Sequence, residues 1–346
     1  MKIPVTVPYC GEEEKEVLAR VVESGWLTQG SFVTEFEDAV ADYVGALHGV
    51  ATSSCTTAMH VALLLYGVGP GDEVIVPSYT WIATANVVRM TGATPVFADI
   101  DPATFNVTPD SVRSKLTPKT KALLPVHQMG MPLDLEGLYR LAADYGLVVV
   151  EDAACAIGSR YRGRPVGGTG GLSCFSFHPR KVITTGEGGM LVTDDDALAE
   201  RARSLTHHGA SMIDVDKHAA TTITALRSET FPEVGYNYRM TNLQGGIGRV
   251  QMKRLEEILS LRKSKAARYS EAFSQMPHVG APPVPEYADP NWQTYAVWIE
   301  PDAPMGRDQI AQELLDAGIA CRPGLIACHL QPPYRSLYPN LCLPHT

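Results

Sequence analysis

Strand-like and helix-like segments alternate along the first half of the chain, from about Glu12 to Asp195. Short runs rich in Val and Ile, separated by amphipathic helical patterns, predict parallel strands covered by helices on both faces. The predicted strands are DEVIVPS, ATPVFADI, KALLPVH, LVVVED, LSCFSFH and GGMLVTD, and the helices between them include TTAMHVALLLYG, WIATANVVRMTG and DLEGLYRLAADYG. The pattern therefore predicts an α/β fold with one large, doubly wound, mostly parallel sheet domain.

The pattern changes after the segment GYNYRMTNLQGGIG. A long helical stretch, RVQMKRLEEILSLRKSKAARYSEAFSQM, is followed by a proline-rich break and by a mixed segment that includes TYAVWIE and GRDQIAQELLDAG. Such a change predicts a bridging helix and a smaller α+β domain, with the boundary between Asn242 and Arg249. We therefore expect residues 1–241 to form an N-terminal arm and the large domain, and residues 242–346 to form the bridging helix and the small domain.

Composition argues against several classes of protein. The chain has 45% hydrophobic and 19% charged residues, and no apolar run approaches the roughly 20 residues that a membrane helix needs. The first ten residues lack the apolar core of a signal peptide, and the seven cysteines show neither a CxxC pair nor zinc-ligand spacing. These features favour a cytoplasmic protein with reduced thiols, no membrane span and no metal. A formal net charge of −9 argues against a nucleic-acid partner, because non-specific binding of that kind depends on clustered Lys and Arg.

One lysine is distinguished by its setting. The stretch FSFHPRKVITTGEGGM places Lys181 between an apolar strand and a glycine-rich turn. An amine at the edge of a core can have a depressed pKa and take part in covalent chemistry. Upstream, the predicted strand LVVVED ends in Glu151 and Asp152, at the edge where functional groups of open α/β sheets gather. A strand-end carboxylate together with an embedded lysine favours a cofactor held as an imine.

Further segments are weak signals when each is taken alone. SSCTTAMH puts small hydroxyl residues where a strand-like run meets a helix start, a place that suits a phosphate but equally an ordinary N-cap. VPSYTWIATAN places Trp81 just after a strand end, where an indole can lie against a planar ligand or fill the core. Ser176 and Lys181 can point into one site, and the three glycines of GEGG allow a tight hairpin.

Taken in order, these segments resemble the DegT/DnrJ/EryC1/StrS aminotransferases, pyridoxal-phosphate (PLP) enzymes often called sugar aminotransferases. The resemblance covers most of the chain and rests on GWLTQG, GPGDEVIVPSYTWIATANVV, GATPVFADID, VHQMGMPLD, EDAACAIGS, FSFHPRKVITTGEGGM, GYNYRMTNLQGGIG and GIACRPGLIACHLQPPY. So many stretches in register make chance similarity negligible. The resemblance implies the type I fold of PLP-dependent aminotransferases, with a large sheet domain and a smaller C-terminal domain.

The same resemblance implies roles for residues that would hold PLP. Lys181 would form the Schiff base, Asp152 would pair with the pyridinium nitrogen, and Trp81 would stack on the ring. The residues implied to grip the phosphate are Ser54, Cys55, Thr56 and Ser176.

The resemblance also implies contacts with a partner subunit and with substrate. Asn237 would reach the cofactor of a second copy, so a homodimer with sites shared across the interface is implied. Thr28, His208 and His329 match positions on the substrate side, although each suits a structural hydrogen-bonding role when taken alone.

Three departures from the family pattern bear on these roles. Cys55 stands where many members have glycine, so only its backbone N–H is expected to serve. Cys155 replaces a frequent glutamine that would hydrogen-bond the ring hydroxyl, and a thiol is a weak donor for that contact. The chain stops at LCLPHT, where relatives usually continue through another proline-containing segment and a closing helix. A shortened small domain and an incomplete sequence are both open.

The implied reaction is a ping-pong transamination in which Lys181 is both the tether and the general acid/base. The expected acceptor is a nucleotide-linked keto-sugar and the expected donor L-glutamate; a keto-cyclitol of the inosose type, with L-glutamine as donor, is the alternative. A non-catalytic PLP-binding regulatory protein is an alternative of another class. Lys181 argues against it, and against the related dehydratases, in which histidine replaces the lysine. A nucleotide site at VGGTGGLS is disfavoured because the segment lacks the lysine of a P-loop.

Overall fold

The computed structural model describes residues 2–211 and 230–346. Its strands are β1 His48–Thr52, β2 Glu73–Pro77, β3 Tyr79–Thr80, β4 Thr94–Ala98, β5 Thr120–Leu123, β6 Val148–Asp152, β7 Arg160–Tyr161, β8 Arg164–Pro165, β9 Leu172–Ser176, β10 Gly189–Thr193, β11 Val279–Gly280, β12 Ala288–Asp289, β13 Trp298–Ile299 and β14 Ile326–Ala327. Its α-helices are α1 Glu12–Glu23, α2 Ser31–Val44, α3 Cys55–Leu65, α4 Ala83–Met90, α5 Pro109–Arg113, α6 Leu135–Tyr145, α7 Asp196–Thr206, α8 Asn242–Lys253, α9 Leu255–Phe273, α10 Arg307–Asp316 and α11 Pro332–Arg335.

A seven-stranded sheet forms the centre, with the strand order β1-β10-β9-β6-β5-β2-β4. Strands β9, β6, β5, β2 and β4 pair in parallel, whereas β10 lies antiparallel to both β1 and β9. All the predicted strands of the first half lie in this sheet, so the predicted large, mostly parallel domain is confirmed. The remaining strand, β1, is the strand-like run noted before SSCTTAMH, and it lies at one edge of the sheet.

Apolar side chains pack against both faces of the sheet because successive residues of each strand point to opposite sides. Val50 and Leu191 pack on the side of α3 and α7. Their neighbours Ala51 and Met190 pack on the other side, where Phe36 of α2 also lies. These side chains are fully or almost fully buried, and each contributes roughly 1.5–3 kcal/mol when it is large and apolar. The doubly covered sheet is thus the core that fixes the strand ends.

The helix that matters most for the site, α3, begins at a well-formed cap. The Ser54 hydroxyl accepts a hydrogen bond from the Thr57 N–H at 3.2 Å, and the Ser54 N–H donates to the Thr57 hydroxyl at 3.1 Å. This reciprocal pair satisfies two backbone donors at the helix start. It fixes α3 directly after β1, with its N-terminus at the edge of the sheet.

The predicted long bridging helix is instead two helices, α8 and α9, so the prediction of one continuous helix is wrong. Arg254 separates them with φ −95° and ψ −3°. Its guanidinium pairs with Glu13 of α1 at 2.8 Å. Helix α8 packs closely on α2, since a Cβ on Gly245 would lie 2.7 Å from the Phe32 carbonyl oxygen. The break lets α8 follow the N-terminal helices while α9 leads into the C-terminal part.

The C-terminal part contains short strands and α10, and it returns to the large sheet at its end. β11 pairs with β13, β12 adds to β7 and β8, and β14 pairs with β3. Tyr334 is buried, with its ring 5.4 Å from that of Phe97. Among the described residues, no helix combines the length and the apolar character needed to cross a membrane.

Candidate active site

The candidate site lies at one edge of the central sheet. Thr52, Asp152 and Ser176 end β1, β6 and β9, and Gly189 begins β10, where it pairs with both Thr52 and Ser176. The carboxyl ends of parallel strands meet at a common edge, which is where open α/β sheets bind ligands. Because Lys181 lies in the connection from β9 to β10, the strand order brings it to the same edge as Asp152.

The Asp152 carboxylate is almost fully buried, with 4% of its surface exposed. Its Oδ2 accepts a hydrogen bond from the Thr84 hydroxyl at 2.9 Å, and its Oδ1 accepts one from the Ala154 N–H at 3.1 Å. Burial raises the pKa of this carboxyl, and the two hydrogen bonds and nearby Lys181 offset only part of that effect. A buried carboxylate of this kind is suited to a cationic N–H partner.

The Lys181 amine lies against a thiol. Its Nζ donates to the Sγ of Cys155 at 3.1 Å. Burial lowers the pKa of Lys181, but neighbouring Cys155, Cys55 and Asp152 outweigh that effect, and the net shift is upward. Burial alone would lower this pKa, so its upward shift comes from acidic groups that the sequence did not place beside the amine.

The loop that carries Lys181 is held by its own side chains. Val182 and Ile183 are buried in the core directly after the lysine. The Thr184 hydroxyl and the Thr185 N–H both donate to the Phe177 carbonyl, at 2.8 and 3.0 Å. Residues 177–188 separate β9 from β10, so the predicted tight hairpin is wrong although the two strands do pair.

Gly189 serves close packing, not a turn. A Cβ at this position would overlap the backbone of Ser54 and lie 2.5 Å from the Cys55 nitrogen. Glycine therefore lets β10 touch the start of α3. This contact sets the N-terminus of α3 beside the loop that carries the lysine.

The N-terminus of α3 offers free backbone donors. The Ser54 hydroxyl oxygen accepts from the Thr57 N–H, and a hydroxyl that accepts can still donate to a ligand. No acceptor lies against the N–H of Cys55 or Thr56 among the residues that the structure describes. First-turn N–H groups and the helix dipole favour an anion such as a phosphate. The Cys55 thiol instead donates to the Cys174 carbonyl at 3.4 Å, and burial raises its pKa well above the ordinary value. Only the backbone of Cys55 is thus available to a ligand.

Two further predicted residues lie at this edge. Trp81 follows β3 and is 61% exposed, so its indole face is open to a planar ligand. Ser176 is buried at the end of β9, where its hydroxyl accepts a long hydrogen bond of 3.5 Å from the His178 N–H. An amine, a buried carboxylate, helix N–H donors and an open indole are the groups that a flat, phosphorylated pyridine aldehyde needs, so the residues present fit PLP.

Four predicted residues make no contact with the Lys181–Asp152 pair. Asn237 is exposed, and its backbone bridges to that of His207. His208 is exposed with φ 62°, and Thr28 is exposed before α2. The His329 ring is buried and shares a 2.6 Å hydrogen bond with the Ser78 hydroxyl, and burial lowers its pKa. In the single chain, His329 therefore has a structural hydrogen bond.

A buried polar network that was not predicted from the sequence lies behind Asp152. His127 accepts a hydrogen bond at Nδ1 from the Leu133 N–H and therefore donates from Nε2 to Glu151, at 2.9 Å. The Tyr139 hydroxyl donates to the other Glu151 oxygen at 2.5 Å. Burial favours the neutral form, but these donors hold the pKa of Glu151 below its ordinary value. The predicted strands KALLPVH and LVVVED, which end in His127 and in Glu151 with Asp152, carry the signal that could have found it.

Comparisons with known proteins agree with this geometry. The model of the DegT/DnrJ/EryC1/StrS aminotransferase family matches residues 8–346. GDP-perosamine synthase from Caulobacter vibrioides is 40% identical over 338 residues, which is 97% of this chain and 88% of the relative. DesI, solved in the presence of its TDP-sugar product, is 33% identical with a TM-score of 0.87, covering 100% of this chain and 84% of that one. Spr1654 from Streptococcus pneumoniae, solved in a PLP form and a PMP form, is 29% identical with TM-scores of 0.89 and 0.90, covering 97% of this chain and 88% of that one.

Proposed function

Because the chain belongs to the DegT/DnrJ/EryC1/StrS aminotransferase family and is a transaminase, we propose that it moves an amino group from L-glutamate to a nucleotide-linked keto-sugar. The observation that carries the proposal is the meeting of Lys181, Asp152 and the free N-terminus of α3 at one sheet edge. A lysine, a buried acid and an anion site are the three fixed points that PLP requires.

The chain's own residues divide the task of holding the cofactor. Lys181 would bind it through the side-chain amine, and Asp152 would keep a proton on the ring nitrogen. The phosphate would be bound by the N–H groups of Cys55 and Thr56 with the hydroxyls of Ser54 and Ser176, and Trp81 would cover one ring face. When bound, PLP supplies an electron-withdrawing ring that stabilises negative charge on the substrate carbon.

Lys181 would also move the proton. Its amine is a general acid/base only while it can exchange a proton at Nζ. Cys155 Sγ lies 3.1 Å from that atom and keeps the amine at the site edge. Buried Val182 and Ile183 on the same loop limit the movement of the backbone beneath it.

The choice of acceptor rests on the relatives. One relative is a GDP-perosamine synthase and another was solved with its TDP-sugar product, which supports a nucleotide-linked keto-sugar for this chain. For such an acceptor, L-glutamate remains the proposed amino donor.

We also propose a homodimer in the cytoplasm. Asn237 is exposed, and the next residue, Tyr238, contacts the chain just before α3. The Tyr238 carbonyl accepts a hydrogen bond from the Ser53 N–H at 2.7 Å. A second copy that packs there would complete a shared site. The seven cysteines are free thiols, which fits a reducing compartment.

The test is amino transfer by the PLP-loaded enzyme. L-glutamate alone should convert the bound PLP to PMP, and GDP- or TDP-linked keto-sugars should then restore PLP and yield an amino sugar detectable by mass spectrometry. Lys181→Ala is the matched control and should do neither. Turnover with inososes but with no nucleotide-linked ketone would contradict the proposed acceptor, and PLP that stays unchanged with every donor would contradict the proposed activity.

A further inference from the structure

The short segment Asn291–Gln293 of the C-terminal part binds two loops, one that carries Cys155 and one that carries Lys181. The Asn291 side-chain amide donates to the Cys155 carbonyl at 2.8 Å and to the Ile157 carbonyl at 2.7 Å. The Gln293 side-chain amide donates to the Arg180 carbonyl at 2.6 Å. The two segments held in this way carry Cys155 and Lys181, the partners of the 3.1 Å contact between Sγ and Nζ.

The position of Asn291 is fixed from several sides. Its side chain is fully buried, and its Oδ1 accepts a hydrogen bond from the Gln293 N–H at 2.8 Å. Its own N–H donates to the Ser159 hydroxyl at 3.1 Å, and that hydroxyl donates to the Gly130 carbonyl at 2.7 Å. A Cβ on Gly130 would overlap Asn291 Oδ1. Asn291 therefore has no room to shift and serves as a fixed base for Gln293.

Helix α9 holds the same segment from the other side. Arg262 donates from Nη1 to the carbonyls of Trp292 and Gln293, at 3.1 and 3.3 Å. The guanidinium is partly shielded from solvent, and burial lowers its pKa. Hydrogen bonds thus connect α9 to the segment and the segment to the backbone next to Lys181.

The Gln293 amide has only one workable orientation. Its nitrogen faces the Arg180 carbonyl, and a rotated amide would place two oxygens against each other. In this orientation Oε1 is buried and accepts no hydrogen bond from any residue that the structure describes. An unpaired buried acceptor is unfavourable and calls for an explanation. The hydrogen bond to the Arg180 carbonyl explains the unpaired oxygen. An apolar side chain at this position would have no unpaired oxygen, but it could not hold the Arg180 carbonyl.

We propose that Gln293 is a positioning residue for the transaminase reaction, which sets the place of the Lys181 amine by holding the backbone carbonyl of the preceding residue. The inference rests on the proposed function, since it assigns Lys181 the proton transfer. It adds a residue of the C-terminal part to a site otherwise built at the edge of the large sheet. Gln293 acts only through the lysine loop.

The test compares Gln293→Met with a matched control, Gln275→Met. Methionine keeps the length of glutamine but removes the donor, and Gln275 is exposed with only a side-chain contact to Ser274. In the loaded enzyme, Gln293→Met should lower kcat roughly three- to tenfold, the size expected for one lost hydrogen bond. KM for both substrates should stay within about twofold, and the control should match the wild type.

A second readout uses the unloaded enzyme and does not need turnover. The extent of acetylation of Lys181 by acetic anhydride, measured peptide by peptide with mass spectrometry across a pH series, reports when the amine loses its proton. In Gln293→Met the amine moves away from Cys155, so the midpoint should shift to lower pH, whereas Gln275→Met should leave it in place. A role confined to stability would change the melting temperature but not this midpoint.

The proposal is overturned if Gln293→Met equals Gln275→Met in both kcat and the acetylation midpoint. Should Gln293→Met not fold, Gln293→Asn takes its place, because this amide is one methylene too short to reach the Arg180 carbonyl. It must show the same loss of kcat and the same shift, and wild-type values would overturn the proposal. Failure of the proposed function is seen separately, as a wild-type enzyme that transfers no amino group, and the acetylation midpoints still decide the role of Gln293.

Discussion

At the residue scale, burial and the proposed function make opposite demands on the charge of the Asp152 carboxyl group. Its burial at the end of β6 raises its pKa, so the folded, unloaded enzyme disfavours the charge that the proposed function requires. A cofactor with a cationic ring N–H would compensate that charge. The enzyme therefore keeps a group that costs stability until its ligand is bound.

Replacing Asp152 by Asn separates the stability cost of the buried carboxylate from its role in amino transfer. Because the pKa of this carboxyl is raised in the folded enzyme, the group makes its full contribution to the free energy of unfolding below the ordinary carboxyl pKa. That contribution is lost as the pH rises through the pKa of the group in the folded enzyme. The unloaded Asp152→Asn enzyme should therefore melt at a higher temperature than the wild type at neutral pH, with the difference disappearing near pH 4 or so. Amino transfer by the same variant should fall by about a hundredfold or more.

Calorimetry over a pH series and a coupled transaminase assay measure these two quantities. Asp144→Asn, at an exposed carboxylate of α6, is the matched control and should change neither. A lower melting temperature for Asp152→Asn at neutral pH would contradict the account of burial, and retained turnover would contradict the role of the carboxylate.

The residue types of the site were visible in the sequence, but their neighbours were not. Lys181 and Asp152 stand out because each follows an apolar run, which is a local signal. Thr84, which contacts Asp152, comes from a segment far away in the chain, and Cys155 was predicted to lie at the cofactor but not to be the partner of the Lys181 amine. The direction of the Lys181 pKa shift depends on such contacts, so it does not follow from burial alone.

At the element scale, the site depends on how closely β10 approaches α3. Gly189 is the point of contact, and it has no side chain because the Ser54 backbone occupies that space. Gly189→Ala should push the start of α3 away, with a loss of about 1–3 kcal/mol in unfolding free energy. The affinity for PLP should fall about tenfold or more, because the phosphate donors move with the helix.

Gly306→Ala is the matched control for this prediction. Gly306 is the N-cap of α10, and a Cβ there meets no atom within 4 Å, so stability should fall by no more than roughly 1 kcal/mol, the size of an N-cap preference, and the PLP affinity should not change. Denaturant melts and a PLP titration followed by fluorescence measure both variants. Equal PLP affinity in Gly189→Ala and the wild type would show that the close approach does not set the phosphate site.

Helices and sheet strands of the first half follow from periodicity and from their caps, such as Ser54 before α3. The break at Arg254 does not, because the helical pattern continues through it and the ion pair with Glu13 joins distant parts of the chain. The two-residue strands β3, β12 and β14 exist only through partners elsewhere in the fold. Such elements carry too few residues for any local pattern to predict them.

At the scale of the whole molecule, the resemblance to the family implies that two chains share each site, with Asn237 reaching the cofactor of a second copy. Asn237 is exposed in the single chain, which fits a position across a twofold axis. Composition and periodicity do not carry that information, because they describe one chain at a time.

Mixing two inactive variants tests the shared site. Lys181→Ala removes the amine, and Asn237→Asp replaces the amide that would reach the cofactor of the second copy by a carboxylate, so each homodimer should be inactive. A mixed dimer contains one site with both native residues, and subunit exchange in an equal mixture should restore about a quarter of wild-type activity. Each variant incubated alone is the control. No recovery after exchange, with mixed dimers present by native mass spectrometry, would contradict the sharing of sites.

Borohydride reduction of the PLP-loaded enzyme shows directly whether Lys181 holds PLP. The PLP-loaded enzyme is reduced, digested and analysed by peptide mass spectrometry for the phosphopyridoxyl group. We expect this group on the peptide that contains Lys181, and no such label at any lysine in the reduced Lys181→Ala enzyme. A label at another lysine, or one spread over exposed lysines and unchanged in the variant, would contradict it.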